Sequence, residues 1–328
     1  EESPFHLILG SQCGILNQSC NLIFFNARHA RERQYIMIHE IHNDVLTVRV
    51  NDHGAELYSV MRADGTEYIW QGLAPYWNGR AMNIFPNCGR FFDGRYTCRG
   101  KEYSLKCHGI ARDADFTLMP ESTADTLVFG LDSSDETRAQ YPFDFALRIS
   151  YHLDGERLEC RNYVVNTGDG ILPFATGAHP GFNVPLTHGL AFSDYRVDFG
   201  PVGKLYRVGI NGNGFVEGAS TPYPLKDGRY IELDHHLFDH DAIFFENVPT
   251  SVRLVSDKDD RSVTLTCPQV RYLGLWHTNE SDAPFICLEP WIGLPSPQGV
   301  VEDIADKASM VRLAVGDSFA FDYTISFN

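Results

Sequence analysis

The chain has 328 residues, of which 43% are hydrophobic and 21% charged, and a formal net charge of −16. That is enough apolar material for one large domain or two medium ones. A surface of that sign repels nucleic acid and anionic lipid, so neither is expected as a partner. No apolar run approaches the ~20 residues needed to span a bilayer. The eight cysteines form no CxxC pair and no zinc-finger spacing, which reads as reduced thiols of a cytoplasmic protein.

Residues 1–36 show no clear hydrophobic period. Regular alternation starts just after Met37, so 1–36 reads as an upstream extension and 37–328 as one domain. The apolar stretches FHLIL and NLIFF raise the alternative of a signal peptide. Acidic residues precede them, however, polar residues interrupt them, and no small-residue cleavage site follows.

From Met37 onward the pattern predicts strands. DVLTVRVN, ELYSVMR and EYIWQG alternate and are separated by Gly, Asn and Asp. DGRYTCRGKEYSL reads as a hairpin turning at Arg99–Gly100 or Gly100–Lys101. DTLVFGLDSS, FALRISYHL, RLECRNYVVNTGD, YRVDFG, SVRLVSD, SVTLTC, YLGLWH, PFICLEPW and FAFDYTISF continue the series. DSSDETRAQYP is a short helix candidate capped by Asp or Ser. Turn signals at this spacing predict an all-β chain, a large antiparallel β-sandwich with few short helices. Such a sandwich can present a concave face, where ligand sites concentrate.

Four segments carry groups capable of chemistry. AMNIFPNCGRFFDGRY holds Asn83 and Arg90 among aromatics. LKCHGIARDADF holds His108 and Arg112, GAHPGFNVPL holds His179, and FICLEPWIG holds Glu289. Each also has an ordinary structural reading as a salt bridge, a turn or a strand end. Glu289 is the least ordinary, because burial behind an apolar strand raises a carboxyl pKa and makes it a better proton acceptor near neutral pH. An imidazole can act as the matching acid. No nucleophile elbow, P-loop or dinucleotide fingerprint competes. GINGNGF (209–215) reads as a loop with no helix after it, and DHHLFDHD (234–241) as a solvated loop.

In order along the chain, NIFPNCGR, HGIARDADF, GAHPGFNVPL, DAIFF, YLGLWH and FICLEPWIG resemble the aldose 1-epimerase (galactose mutarotase) family, closest to its LacX-like branch. The resemblance runs from about residue 38 to the C-terminus. It implies the galactose mutarotase-like β-sandwich and an isomerase that opens, rotates and recloses an aldohexose ring without metal or organic cofactor. It implies that His179 protonates the ring oxygen and Glu289 takes the anomeric hydroxyl proton. It implies that His108, Arg90 and an aspartate bind the sugar, and that Trp276 lines the pocket. FDHDAIFF fits the aspartate motif through either Asp239 or Asp241; the LacX-like pattern favours Asp241.

The partner expected is a small sugar, free or phosphorylated. A hexose 6-phosphate would call for clustered basic residues, for which Arg80, Arg90, Arg95 and Arg112 are candidates. Two other classes compete: a sugar-binding module without chemistry, and a metal enzyme built on His108, His179 and Glu289.

Overall fold

The computed structural model describes residues 37–328; the extension read at 1–36 lies outside the described residues. Nearly every regular element is a strand, and every strand-to-strand ladder is antiparallel. The short helix falls where expected, at Asp135–Gln140. Its N-cap is Ser134, whose side chain accepts from the Thr137 amide while Thr137 Oγ1 accepts from the Ser134 amide. This reciprocal arrangement satisfies donors that the first turn leaves open.

Two large sheets form the body. The first has nine strands, centred on the ten-residue strands Phe145–Asp154, Arg157–Asn166 and Ser318–Phe327. Along Phe145–Asp154 the buried residues are Phe145, Leu147, Ile149, Tyr151 and Leu153, with partly exposed residues between them. That period of two is what a sheet with one covered face requires. The second sheet has seven strands in the order Thr221–Tyr223, Leu205–Arg207, Ile243–Glu246, Tyr272–Trp276, Phe285–Trp291, Gly177–Asn183 and Ala81–Ile84. All residues of Phe285–Trp291 and of Ala81–Ile84 are buried. Ile286 and Leu288 join the main core, whereas Phe285 and Cys287 pack with Trp70, Trp77 and Trp276 on the opposite face.

Polar ties cross the core between the sheets. Tyr151 Oη donates to the Ala55 carbonyl at 2.7 Å. Asn83 Nδ2 donates to the Ala55 carbonyl at 2.9 Å and to Tyr151 Oη at 3.0 Å. Asn162 Nδ2 reaches Thr176 Oγ1 at 3.0 Å and the Gly177 carbonyl at 3.2 Å. Asn83 is thus a core tie and not a member of the site, although its segment read as chemistry-bearing.

The hairpin turns at Arg99–Gly100, both residues having positive φ (52° and 74°) between Arg95–Cys98 and Lys101–Ser104. That is the geometry a two-residue connection needs to match strand twist. Two readings need correction. EYIWQG is not a regular strand: it makes only isolated bridges, Glu67 to Met61 and Ile69 to Phe182, because it passes between two different strands and runs along neither. The stretch 234–241 is not simply solvated. His235 stacks on Phe192 with ring centroids 4.2 Å apart and meets His277 Nε2 at 3.0 Å, and Phe238 is fully buried.

Candidate active site

The seven-stranded sheet sets five side-chain positions in one transverse row. Met82 is the cross-strand partner of His179. The pairs Gly177↔Trp291 and Gly181↔Cys287 put His179 opposite Glu289, each lying two residues in from the paired ends. Glu289 pairs with Gly274, and Gly274 with Phe244. Directly opposed residues on one face have Cβ atoms about 4.5–5.5 Å apart, so register alone brings the imidazole and the carboxylate together across more than a hundred residues of chain.

Gly274 makes the row fit. A Cβ there would lie 2.6 Å from the Phe244 ring and 3.2 Å from Glu289 Cβ. Gly274→Ala is therefore expected to cost about 1–3 kcal/mol through overpacking, seen as a lower denaturation midpoint. A midpoint equal to wild type would show that Phe244 gives way freely.

The row floors a cavity of about 300 Å³, at the lower end of the size range of ligand pockets. Arg90, His108 and Arg112 come to its rim from segments following the strand Ala81–Ile84, Asp241 from the turn before Ile243–Glu246, and Trp276 from the floor. His179, Glu289, Arg90, His108, Asp241 and Trp276 thus lie on one cavity. Asp239 does not: its carboxylate meets His236 Nδ1 at 3.0 Å on the surface. Of the four arginines weighed for phosphate, Arg90 and Arg112 reach the cavity. Arg80 instead donates to Gln71 and the Tyr58 carbonyl and stacks on the Tyr58 ring. Arg95 pairs with Asp93 and Glu102.

Sequence reasoning missed two contributors, Trp77 and a loop. Trp77 lies over His179 with ring centroids 4.9 Å apart and planes 34° apart, and meets Trp276 edge-on at 5.4 Å. Trp291, which the sequence already offers beside Glu289 as a flat apolar face for a sugar, lines the cavity as well. The loop GINGNGF, read only as a loop with no helix after it, supplies Ile210 and Gly214 to the wall.

His108 sits at φ 67° and Asp241 at φ 78°, a region that non-glycine residues visit at a cost and that collects at functional sites. After His108, Gly109 has φ 80°, and a Cβ there would fall 2.3 Å from the Phe85 carbonyl oxygen; only glycine fits. The same turn aims the imidazole. The Gly89 amide donates to His108 Nδ1 at 3.3 Å, which leaves Nε2 to carry the proton of the neutral ring.

His179 Nε2 and Glu289 Oε2 are 3.3 Å apart, on side chains 8% and 1% exposed. Burial lowers the His179 imidazole to about 3, with the Arg112 charge acting in the same direction. Burial holds His108 well below the ordinary histidine range, helped by His179, Arg112 and Arg90. Burial also pushes the Glu289 carboxyl well up, with the Asp241 carboxylate adding to it. Each group resists its charged form, so in the empty site His179 is a neutral imidazole and Glu289 keeps its carboxyl proton. His179 Nδ1, Glu289 Oε2 and Trp291 Nε1 are buried without a hydrogen-bond partner among the described residues. Orphans of this kind cost stability, and here they cluster around one cavity.

Among the described residues one trio could hold a metal: His179, Cys287 and Glu289, with ligand atoms within 4.8 Å of one another. It is not the His108–His179–Glu289 set weighed from the sequence. Cys287 is fully buried and its thiol is pushed well above its ordinary value by burial, a poor start for a ligand that must lose its proton.

The family model for aldose 1-epimerase matches residues 37–300. Protein LacX (plasmid) of Lactococcus lactis subsp. lactis is 31% identical over 296 residues, 88% of this chain and 98% of LacX. A galactose mutarotase related enzyme from Lactobacillus acidophilus superposes with a TM-score of 0.85 at 31% identity, covering 89% of this chain and 97% of that one. A galactose mutarotase-like protein from Lactobacillus casei ATCC 334 superposes with a TM-score of 0.84 at 30% identity, covering 89% of this chain and all of that one. The sheets, the cavity and these matches define a galactose mutarotase-like β-sandwich. The chain belongs to the aldose 1-epimerase family.

Proposed function

We propose that the protein is a cofactor-independent aldose 1-epimerase that interconverts the α and β anomers of an aldohexose, with His179 and Glu289 as its proton-transfer pair. The observation that carries this reading is the placement of the two groups, 3.3 Å apart on the floor of one cavity.

The sugar enters with its anomeric carbon over the dyad. Its hydroxyls supply the polar partners that the buried groups lack and stabilise transfer of the Glu289 carboxyl proton to His179, so the reactive form is an imidazolium beside a carboxylate. His179 gives that proton to the ring oxygen while Glu289 takes the proton of the anomeric hydroxyl, and the carbon–oxygen bond of the ring breaks to leave an aldehyde. The bond between the first two carbons turns. The released hydroxyl then attacks the other face of the carbonyl, giving its proton back to His179 as Glu289 returns its own to the new anomeric oxygen. Atoms and charge balance within the dyad, and no electron leaves the sugar. His108, through Nε2–H, steadies the ring oxygen; Arg90 and Asp241 hold hydroxyls; Trp276 and Trp77 give the ring an apolar wall.

The test is polarimetry on freshly dissolved α-D-glucose and α-D-galactose. Acceleration that is absent in Glu289→Gln supports the reading and ranks the two sugars. Failure on both, with acceleration on a hexose 6-phosphate, would move the substrate class to the phosphorylated sugars, for which Arg90 and Arg112 are in place. Failure on all three would leave a binding protein. Turnover is expected to be unaffected by EDTA; loss of activity restored by zinc would transfer the site to metal chemistry.

A pH prediction follows from the two depressed histidines. A lowered pKa means that each ring stays neutral until the solution is far more acidic than usual. The profile of kcat/KM is therefore expected to lack a step near ~6.5, the ordinary histidine value. A clear inflection there would mean that a histidine of the site titrates normally.

A further inference from the structure

Behind the rim, away from the cavity, lies a buried charged cluster that the proposed chemistry does not use. Lys307 is 3% exposed. Its Nζ donates to Glu302 Oε2 at 2.7 Å, and the same oxygen accepts from Ser296 Oγ at 2.6 Å. Ser296 is fully buried. Lys307 Nζ also lies 5.6 Å from the centre of the Phe91 ring. Burial lowers the Lys307 ammonium from its usual value, and the Glu302 carboxylate opposes that. A pair removed from water gains little net stability over apolar residues of the same size, so its presence calls for another role.

The backbone of Ser296 shows what the cluster holds. Its amide donates to the Arg90 carbonyl at 2.8 Å, and its own carbonyl accepts from the Val216 amide at 3.0 Å. The Gln298 amide returns to the Val216 carbonyl at 2.8 Å. One residue earlier, Pro295 packs against Gly89, where a Cβ would come within 2.7 Å of it. Gly89 in turn donates to His108 Nδ1. Three rim segments, carrying Arg90, Gly214 and Pro295, therefore meet on Ser296 and its immediate neighbour. Ser296 is fixed from behind by a carboxylate that Lys307 fixes in turn. The far side is pinned as well: the Thr97 amide donates to the Glu302 carbonyl and the Ile304 amide to the Thr97 carbonyl, both at 2.9 Å.

We propose that Lys307, Glu302 and Ser296 are positioning residues: a buried clamp that sets the place of Arg90 at the cavity rim, and so the affinity for the sugar, without touching it. This rests on the sugar-binding reading given above for Arg90. Guanidinium recognition depends on the placement of a planar fork, and displacements of about 1 Å at a site can cost up to ~10²-fold. The effect belongs in binding, because the dyad stands on the sheet floor and not on the clamped segments.

The test is the double variant Glu302→Leu/Lys307→Met, which replaces the pair by apolar side chains of similar volume and leaves no buried charge unpaired. The midpoint of unfolding is expected to fall modestly, because the buried Ser296 hydroxyl loses its acceptor. KM is expected to rise roughly ten-fold, with kcat within about two-fold of wild type. Peptides spanning 87–91 and 294–298 should exchange their amide hydrogens faster, while those of the strand Phe285–Trp291 should not. Unchanged KM with unchanged exchange overturns the clamp, as does an equal loss of kcat. Ser296→Ala, which removes only the hydroxyl, is the second variant if the double one does not fold: it should raise KM and speed exchange in the same peptides, and wild-type behaviour in both overturns the proposal. The exchange measurement needs no substrate, so a wild-type protein that turns over no sugar fails the functional reading while the clamp is still decided.

Discussion

Glu289→Gln is expected to lower the rate of anomer interconversion by about 10³–10⁴-fold and, at the same time, to make the protein more resistant to alkaline pH. The two effects share one cause. Glu289 is 1% exposed and its carboxyl is pushed well up, by burial first and by Asp241 second. A carboxyl raised in the fold keeps its proton where the unfolded chain has lost it. Its contribution to stability is complete below the ordinary glutamate pKa and falls away as pH rises toward the folded value. Glutamine cannot ionise, so the variant escapes that loss. The difference in melting temperature, variant minus wild type, should be small near pH 4.5 and grow as pH rises toward 8. A constant difference would mean that Glu289 titrates alike in both states. Residual activity within ten-fold of wild type would remove it from the proton path.

His179→Asn is expected to cost about 10²–10⁴-fold in turnover while the fold survives. The sign of its pH effect is opposite. The imidazole is lowered to about 3, by burial and then by the Arg112 charge. A base lowered in the fold contributes stability above its unfolded pKa, near ~6.5, and loses it progressively as pH falls toward the folded value. The asparagine variant lacks that acid-side loss, so its melting temperature should gain on wild type as pH is taken from 7 to 4. His108, lowered by burial and then by the His179 charge, continues to destabilise both proteins in acid but is relieved of the His179 charge in the variant, so the acid-side gain reads the two rings together. Unchanged turnover in the variant would refute the assignment outright.

How much of this was legible in the amino-acid sequence depended on which sheet a residue joined. Strands of the nine-stranded sheet, such as FALRISYHL, alternate because one face is covered and the other partly open. Their period of two could be read directly. In the seven-stranded sheet both faces are covered, one by the core and one by the cavity wall, so AMNI carries no period and read as a site segment. EYIWQG misled for the opposite reason: it alternates, but no neighbouring strand runs beside it.

The site residues were individually visible as polar groups out of place among apolar ones. Their convergence was not, since it comes from register: His179 faces Glu289 only because Gly177 pairs with Trp291 and Gly181 with Cys287. Trp77 carried no signal of its own. It stands in a loop rich in glycine and proline, and what sets it over His179 is tertiary: Trp70 Nε1 donates to its carbonyl at 2.8 Å, and Tyr76 Oη to Asp282 at 2.7 Å. The choice between Asp239 and Asp241 likewise needed the turn that sends one to the rim and the other to His236.

The transverse row Met82, His179, Glu289, Gly274, Phe244 has a consequence for how the protein comes to be functional. Its members are neighbours in space but stand in the order 82, 179, 244, 274, 289 along the chain, so the contacts Met82–His179 and His179–Glu289 close loops of 97 and 110 residues. Contacts of such separation are slow to form and are made late in folding. No hairpin, fragment or partly assembled sheet can hold the row. Catalytic competence should then appear only with the last, global step of folding, and a nascent chain should stay silent until the strand bearing Glu289 has emerged and docked.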